Sequence, residues 1–506
     1  MTEPQAVGPT PSGRRVDDAR YIQDAVGVSR YKEAPLPGQV HEVEALRLND
    51  DGEAVAYVNG VAVFIPGLLP KERARVRIVE RSRRYARAVL VDTPAPTASL
   101  ADSAATAGEP LSGRIQPLCA VFGDCGGCQL QHLDYQRQLE HKRRMVREAL
   151  ARFAGLDNVT VHPTLGMETP WRYRNQVQVP VEFDGRGGVR LGFYAAKSHQ
   201  LVPTTACHLE PEPLERTIEQ AAHMAAELLG WQANLIHHII GRYSFTSGEM
   251  MLIFSYSADR ENSRERHALN RQALADVASR LLQLPGVVSV AATRTLGRHG
   301  RVFGRHTDIL AGKPYLIERI GGLEFLISPQ SFFQVNTQQA RRLYDQVLRL
   351  AQVGAGDTVL DAYCGTGTMA LLLAGQVARV YGIESAPQAI ADARENARHN
   401  RIRNAEFTVG RVEQVLPAWV MKGWRADVIV LDPPRRGCDT AVLEAVAAVR
   451  PRRLVYVSCN HITLARDLRR LDDLGYAVSE VQPVDMFPQT AHVECCSVLV
   501  PRFVAP

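Results

Sequence analysis

The chain is 506 residues long, 45% hydrophobic and 22% charged, an ordinary globular composition that is too long for one small domain and predicts two or three. Its 59 Lys and Arg against 54 Asp and Glu give a net charge of +5, which permits an anionic partner without demanding one. No apolar run reaches the roughly 18 residues of a membrane span, and the polar start lacks the layout of a signal peptide, so no membrane association is predicted and a cytoplasmic protein is expected.

Residues 1–34 are polar and irregular and read as a flexible leader. Residues 35–95 change to short alternating strands, "HEVEALRL", "EAVAYV", "GVAVFIPG", "RARVRIVE" and "YARAVLVD", separated by turn signals such as Asn59-Gly60. This pattern predicts a small β-barrel of the oligonucleotide-binding kind. Its later strands carry Lys71, Arg73, Arg75, Arg77, Arg81, Arg83, Arg84 and Arg87 with Tyr85 among them. Such a surface suits a phosphate backbone and stackable bases, or simply solvent. Residues 96–113 are small, polar and Pro-containing, as expected of a linker.

Nine cysteines in a reducing compartment point to metal binding or catalysis rather than disulfides. Cys119, Cys125 and Cys128, the last two separated by Gly126-Gly127, form a loop able to fold round one metal centre, and Cys207 is the remaining early thiol. Four thiolates suit tetrahedral zinc or an iron–sulfur cluster, and spacing does not choose between them. An amphipathic helix follows, with Leu139, Val146, Leu150 and Phe153 on one face and Lys142, Arg143, Arg144 and Arg147 on an expected solvated face. The rest of residues 114–328 mixes strand and helix signals, as an α+β central domain would.

From Ala355 the pattern alternates strand and helix, the signature of a doubly wound parallel sheet. "DTVLDAYCGTGTMALLLA" gives strand, Gly-containing loop and helix, but lacks the third glycine of a dinucleotide cradle. The next strand ends at Glu384, where a carboxylate can accept from both ribose hydroxyls, so S-adenosylmethionine is favoured over NAD. A third strand ends at Asp432-Pro433-Pro434, and "LVYVSCN" ends in Cys459. Ligands of such sheets sit at the carboxyl ends of strands, so Asp361, Glu384, Asp432 and Cys459 are expected in one crevice, with Cys459 a nucleophile rather than a packing thiol.

"SPQSFFQVN", "LDAYCGTGT", "LDPPRRG", "VSCN-x-x-TLARDL" and "DMFPQTAHVE", with the cysteine cluster, resemble the bacterial RNA uracil-5-methyltransferases. The resemblance runs from about residue 35 onward. It implies an N-terminal TRAM barrel over 35–95, an α+β central domain with a 4Fe-4S cluster over 114–328, and an α/β Rossmann-like methyltransferase domain over 329–506. It makes Cys119, Cys125, Cys128 and Cys207 the cluster ligands, Cys459 the nucleophile and Glu494 the base. Gln334, Tyr363, Glu384 and Asp432 become the S-adenosylmethionine contacts. The cysteine cluster favours 23S rRNA as the RNA partner, with tRNA the alternative, and nothing indicates an obligate protein partner.

The chemistry fits these residue types. C5 of uracil is a poor nucleophile until a thiolate adds at C6, and a base must then remove the C5 proton so that the cysteine can leave. His461, Thr368 and Gly410-Arg411 depart from the family pattern, the last pair where an acidic or amide residue commonly meets adenine. An adenine amino-methyltransferase would place an aromatic after the Asp-Pro-Pro, where Arg435 stands. A non-catalytic iron–sulfur RNA-binding protein would not need the set Glu384, Asp432, Cys459 and Glu494.

Overall fold

Alternation of buried residues along the central strands explains how the middle and C-terminal parts are joined. The computed structural model describes residues 34–92, 113–184, 186–204, 206–257, 269–297 and 301–502; nearly all of the expected leader and linker lies outside them. The chain divides into two compact units, residues 1–116 and 117–506.

The first unit is a six-stranded sheet of Val40–Glu44, Arg47–Leu48, Ala54–Val58, Val61–Ile65, Arg73–Arg81 and Tyr85–Leu90. Asn59 and Gly60 both take positive φ, 50° and 81°, the tight hairpin turn that this dipeptide favours. The basic face is thinner than its sequence suggests. Arg87 turns inward, 2.5 Å from Glu53 and over the rings of Phe64 and Tyr85, because a buried acid needs a counter-charge. Arg73 pairs with Glu44 and Arg75 with Asp92, while Arg77, Arg81, Arg83 and Arg84 are exposed.

In the second unit, a seven-stranded sheet (Gln176–Phe183, Val189–Tyr194, Leu201–Pro203, Ile236–Tyr243, Met250–Ser257, Val287–Thr295, Thr307–Gly312) carries helices Glu212–Leu229 and Arg271–Leu281. Ile239, Leu252 and Phe254 face those helices. Their neighbours Ile240, Met251 and Ile253 face a core shared with Phe325, Phe333 and Leu343. The expected boundary at residue 328 therefore crosses one continuous apolar core.

The C-terminal sheet holds parallel strands Thr358–Ala362, Arg379–Glu384, Ala405–Val409, Val428–Leu431 and Arg453–Ser458. The last strand, Glu494–Pro501, runs antiparallel between Arg453–Ser458 and Tyr476–Val484. Thr160–Val161 adds to the edge beside Tyr476–Val484. Cys495 and Cys496 are both buried and enter opposite cores, as alternation along a strand requires. Among the described residues no helix is long and apolar enough to cross a membrane.

Helix Tyr135–Ala149 packs on this C-terminal part. The expectation for its basic face fails at Lys142, which is fully buried with Nζ 2.5 Å from Asp485, itself fully buried. Periodicity reads charge as solvated, but a charge with a buried partner across the chain goes inward. Arg143 is also drawn in, donating to the Val161 carbonyl at 2.9 Å.

Candidate active site

A crevice of about 840 Å³ opens at the carboxyl ends of the parallel strands. Gln334, Asp361, Tyr363, Glu384, Asp432, Cys459 and Glu494, all singled out from the sequence, line it. Each is placed by an element end. Asp361 lies near the end of the first parallel strand. Tyr363 follows that strand with φ 67°, a left-handed conformation costly for a ring-bearing residue and typical of functional turns. Gly367 has φ 80°, and a Cβ there would meet the Phe407 ring and Ala393 at 3.0 Å, so glycine is needed to start helix Thr368–Ala374. Glu384 ends its strand and accepts from Ser385 Oγ at 2.9 Å and from the Ala386 N–H at 2.8 Å through one oxygen, Oε1.

Cys459 follows strand Arg453–Ser458 and precedes helix His461–Asp473. Asn460 caps that helix, accepting from the N–H groups of Ile462 and Thr463. The thiol thus sits before a helix N-terminus, where a developing thiolate is favoured. The antiparallel register ends at the pair Ser458–Cys495, so Cys459 and Glu494 are the next residue on each chain, and the charge of Glu494 is felt at the Cys459 thiol. A strand running against the others brings its start to the edge where the parallel strands end, which is how Glu494 reaches this crevice.

The electrostatics are unusual. Burial, then the charges of Glu494 and Asp432, push the Cys459 thiol up to about 12, with Arg435 opposing. Burial and Asp432 raise Glu494 to about 8. Burial, Asp432 and Glu384 raise Asp361 to about 8, and its Oδ2 is buried with no hydrogen-bond donor among the described residues. Asp432 is reached by solvent from the crevice but walled elsewhere by protein, and that burial holds it up at about 6. Burial and the nearby cations Arg435, Lys142 and Arg174 lower His492 to about 4, leaving a neutral ring at pH 7. The crevice thus gathers acids whose charges raise one another, with Arg174, Arg411, Arg435 and Arg436 also on its lining.

Other lining residues were not found from the sequence: Arg174, Phe332, Arg435, Phe487 and His492. Phe487 and His492 lie inside "DMFPQTAHVE" and stack edge to face, centroids 6.0 Å apart. Glu413, in the segment whose adenine contact was doubtful, also lines the crevice and binds Arg436 at 2.8 Å. Its position two residues past Arg411 was the available signal.

Cys119, Cys125, Cys128 and Cys207 line a second cavity of about 370 Å³. The Gly127 N–H donates to Cys125 Sγ at 3.4 Å, and a Cβ on Gly126 would come 2.9 Å from Ala196 Cα. Burial pushes up the Cys125 and Cys207 thiols and takes Cys128 to about 11. All nine cysteines are free thiols. Among the described residues no group of three or more His, Cys, Asp or Glu could hold a metal ion. Arg174 lines both cavities, its Nε buried with no hydrogen-bond partner among the described residues.

Comparison with known proteins gives the family. The family described as tRNA (Uracil-5-)-methyltransferase matches residues 319–502, and the TRAM domain matches residues 36–91. An uncharacterised RNA methyltransferase of Halalkalibacterium halodurans is 40% identical over 92% of this chain and 98% of its own length. One of Bacillus cereus is 39% identical over 88% of this chain and 94% of its own. Among solved structures, the Pyrococcus abyssi tRNA (uracil-54, C5)-methyltransferase with S-adenosyl-L-homocysteine superposes with a TM-score of 0.66 at 25% identity, covering 90% of this chain and 99% of that one. With a TRAM domain ahead of a Rossmann-like sheet and these relatives along nearly its whole length, the chain belongs to the RNA uracil-5-methyltransferase family.

Proposed function

We propose that this S-adenosylmethionine-dependent enzyme methylates uridine C5 through a covalent adduct between Cys459 and C6. The observation that carries the reading is that Cys459 and Glu494, each next to the last paired residues Ser458 and Cys495, line one crevice. Cys459 loses its proton to solvent as its sulfur adds to C6, and the ring electrons move to the C5 enolate. C5 then takes the methyl group, and the sulfonium becomes a neutral thioether. Glu494 removes the C5 proton, the C5–C6 double bond re-forms, and the thiolate leaves. A uridine must leave its stack for C6 to meet the thiol.

Donor and acceptor chemistry supports the methyl donor. Asp361 Oδ2 lacks a donor, which an ammonium group would supply. Glu384 keeps an oxygen for ribose hydroxyls beyond its two local bonds. Gln334 and Tyr363 offer an amide and a ring, and Asp432 a carboxylate for donor or uracil edge. A sulfonium places a positive charge in the crevice that Asp361, Asp432 and Glu494 line. Its affinity relative to neutral S-adenosylhomocysteine should therefore rise between pH 6 and 9, as Glu494 and Asp361 ionise through about 8. Calorimetry of both ligands across that range measures it, and a pH-independent ratio would discard the electrostatic account.

Cys119, Cys125, Cys128 and Cys207 would hold a 4Fe-4S cluster. Thiols spread round a cavity fit a multi-iron cluster with one thiolate per iron better than zinc, whose four sulfurs must lie about 2.3 Å from one point. When bound, the cluster supplies a cross-link between the 119–128 loop and Cys207, and a one-electron couple. Anaerobically purified protein should carry about four irons per chain, and Cys207→Ser should lose most of the iron and the visible absorbance.

The exposed arginines of the TRAM barrel offer a phosphate-binding surface, and 23S rRNA is the proposed RNA, modified in the cytoplasm. A second reading, tRNA, is favoured by the Pyrococcus relative, whose named substrate is tRNA and which matches nearly the whole chain. Mass spectrometry of 5-methyluridine in both RNAs, with and without the gene, should show loss from one 23S fragment. Loss from tRNA alone would transfer the assignment, and loss from neither, with no redundant enzyme, would end the reading.

A further inference from the structure

We infer that the cysteine loop is a buttress for the loop carrying the base, with Gln138 and Gln489 as positioning residues for Glu494; this rests on the roles proposed above for Glu494 and the four cysteines. The segment 485–489 presents five successive carbonyls, and every one accepts a hydrogen bond from outside its own loop. The Asp485 carbonyl accepts from Gln339 Nε2 at 2.9 Å and that of Met486 from Asn336 Nδ2 at 3.1 Å. Lys142 Nζ donates to the Phe487 carbonyl at 3.1 Å and Tyr173 Oη to that of Pro488 at 3.0 Å. The Gln489 carbonyl accepts from the N–H groups of Gln129 and Leu130, at 3.1 and 3.0 Å.

Those last two donors are the first two residues after Cys128. The link is doubled by side chains. Gln138 is fully buried; its Oε1 accepts from the Gln489 N–H at 3.1 Å, and its Nε2 donates to Gln489 Oε1 at 3.0 Å. The same Nε2 reaches the carbonyls of Leu130 at 3.0 Å and Leu133 at 2.8 Å. Gln129 Nε2 closes the loop on itself through the Gly126 carbonyl at 3.0 Å. From Cys128 to Glu494 the route is thus one residue, a hydrogen bond and five residues.

Gln489 is held at φ 70° and is nearly fully buried. A non-glycine residue keeps that conformation only where its surroundings over-determine it. Nothing in Asp485–Glu494 is regular structure before the strand starts; a turn in which Thr490 donates to the Phe487 carbonyl is its internal bracing, and these outside partners add the rest. Ordering the cysteine loop then orders Phe487, His492 and Glu494, which line the crevice.

The test uses the full chain and two variants. Gln138→Ala removes the amide pair from one side. Gln489→Gly removes only the side-chain half, the bond from Gln138 Nε2, keeps the backbone N–H that donates to Gln138 Oε1, and suits the left-handed backbone. Hydrogen–deuterium exchange over 485–494, iron content, and kcat and KM for RNA are read for each. Stripping iron from the wild type with a chelator should speed exchange in this segment. Both variants should show fast exchange with iron still bound, and kcat lower by roughly 10- to 100-fold with KM within about two-fold.

Wild-type exchange and kcat in both iron-loaded variants would overturn the inference, as would faster exchange seen only where iron is lost. If the wild type takes up no iron, the cluster reading fails, and exchange and kcat in the variants still decide the buttress. If it methylates no RNA, the proposed reaction fails, and the exchange arm decides alone.

Discussion

Cys459→Ala should lower kcat/KM for methyl transfer by about 10⁴-fold or more, because the other thiol lining the crevice, Cys364, is buried beside Asp361 and Glu384, away from the base. RNA carrying 5-fluorouridine at the target should form a denaturation-stable adduct with the wild type, since fluorine cannot leave as a proton, and none with Cys459→Ala. Glu494→Gln should do the opposite, accumulating adduct on ordinary RNA because addition and methylation precede the lost proton transfer. RNA affinity should stay within about three-fold in both variants, as each group acts on the ring rather than the backbone. An undiminished adduct in Cys459→Ala, or methyl transfer surviving in Cys459→Ser, would remove the covalent mechanism and revive a direct-transfer enzyme.

Lys142→Met should destabilise the fold by about 3–5 kcal/mol, the usual cost of leaving one buried charge without its partner. Asp485 would keep Tyr135 Oη at 2.8 Å but lose Nζ at 2.5 Å, and the Phe487 carbonyl would lose its outside donor. Burial lowers the Lys142 ammonium while Asp485 favours it, so the pair stands or falls together. The double variant Lys142→Met/Asp485→Leu should recover much of the loss. Denaturant unfolding of the three variants measures both. A single variant within about 1 kcal/mol of wild type would show that water reaches Asp485 and that the pair is not the anchor described.

Strand ends were the most legible part of the molecule. Periodicity located the parallel sheet, and the rule that ligands gather at carboxyl ends was enough to bring Asp361, Glu384, Asp432 and Cys459 to one crevice. Glu494 needed the family resemblance, because an acid at the start of a strand belongs at the opposite edge unless that strand is reversed. Lys142 and Arg87 misled for a common reason: their partners, Asp485 and Glu53, lie 343 and 34 residues away, beyond any local pattern. Arg174 and Phe332 lie in the crevice with no spacing signal of their own. The shared core between the middle sheet and the methyltransferase sheet was hidden similarly, since a strand buried on both faces reads as apolar whatever it packs against.

The reversed last strand also dictates an order of assembly. Tyr476–Val484 and Glu494–Pro501 are sequence neighbours and pair with each other, so they can form a hairpin cheaply before either meets the rest of the sheet. Docking that hairpin onto Arg453–Ser458 is the later, long-range event. Until it happens, the nucleophile's strand is a bare edge open to pairing with another chain, and the thiol has no base opposite it. A chain with this hairpin undocked would expose a strand edge and leave Glu494 away from Cys459, so one docking step would close both gaps.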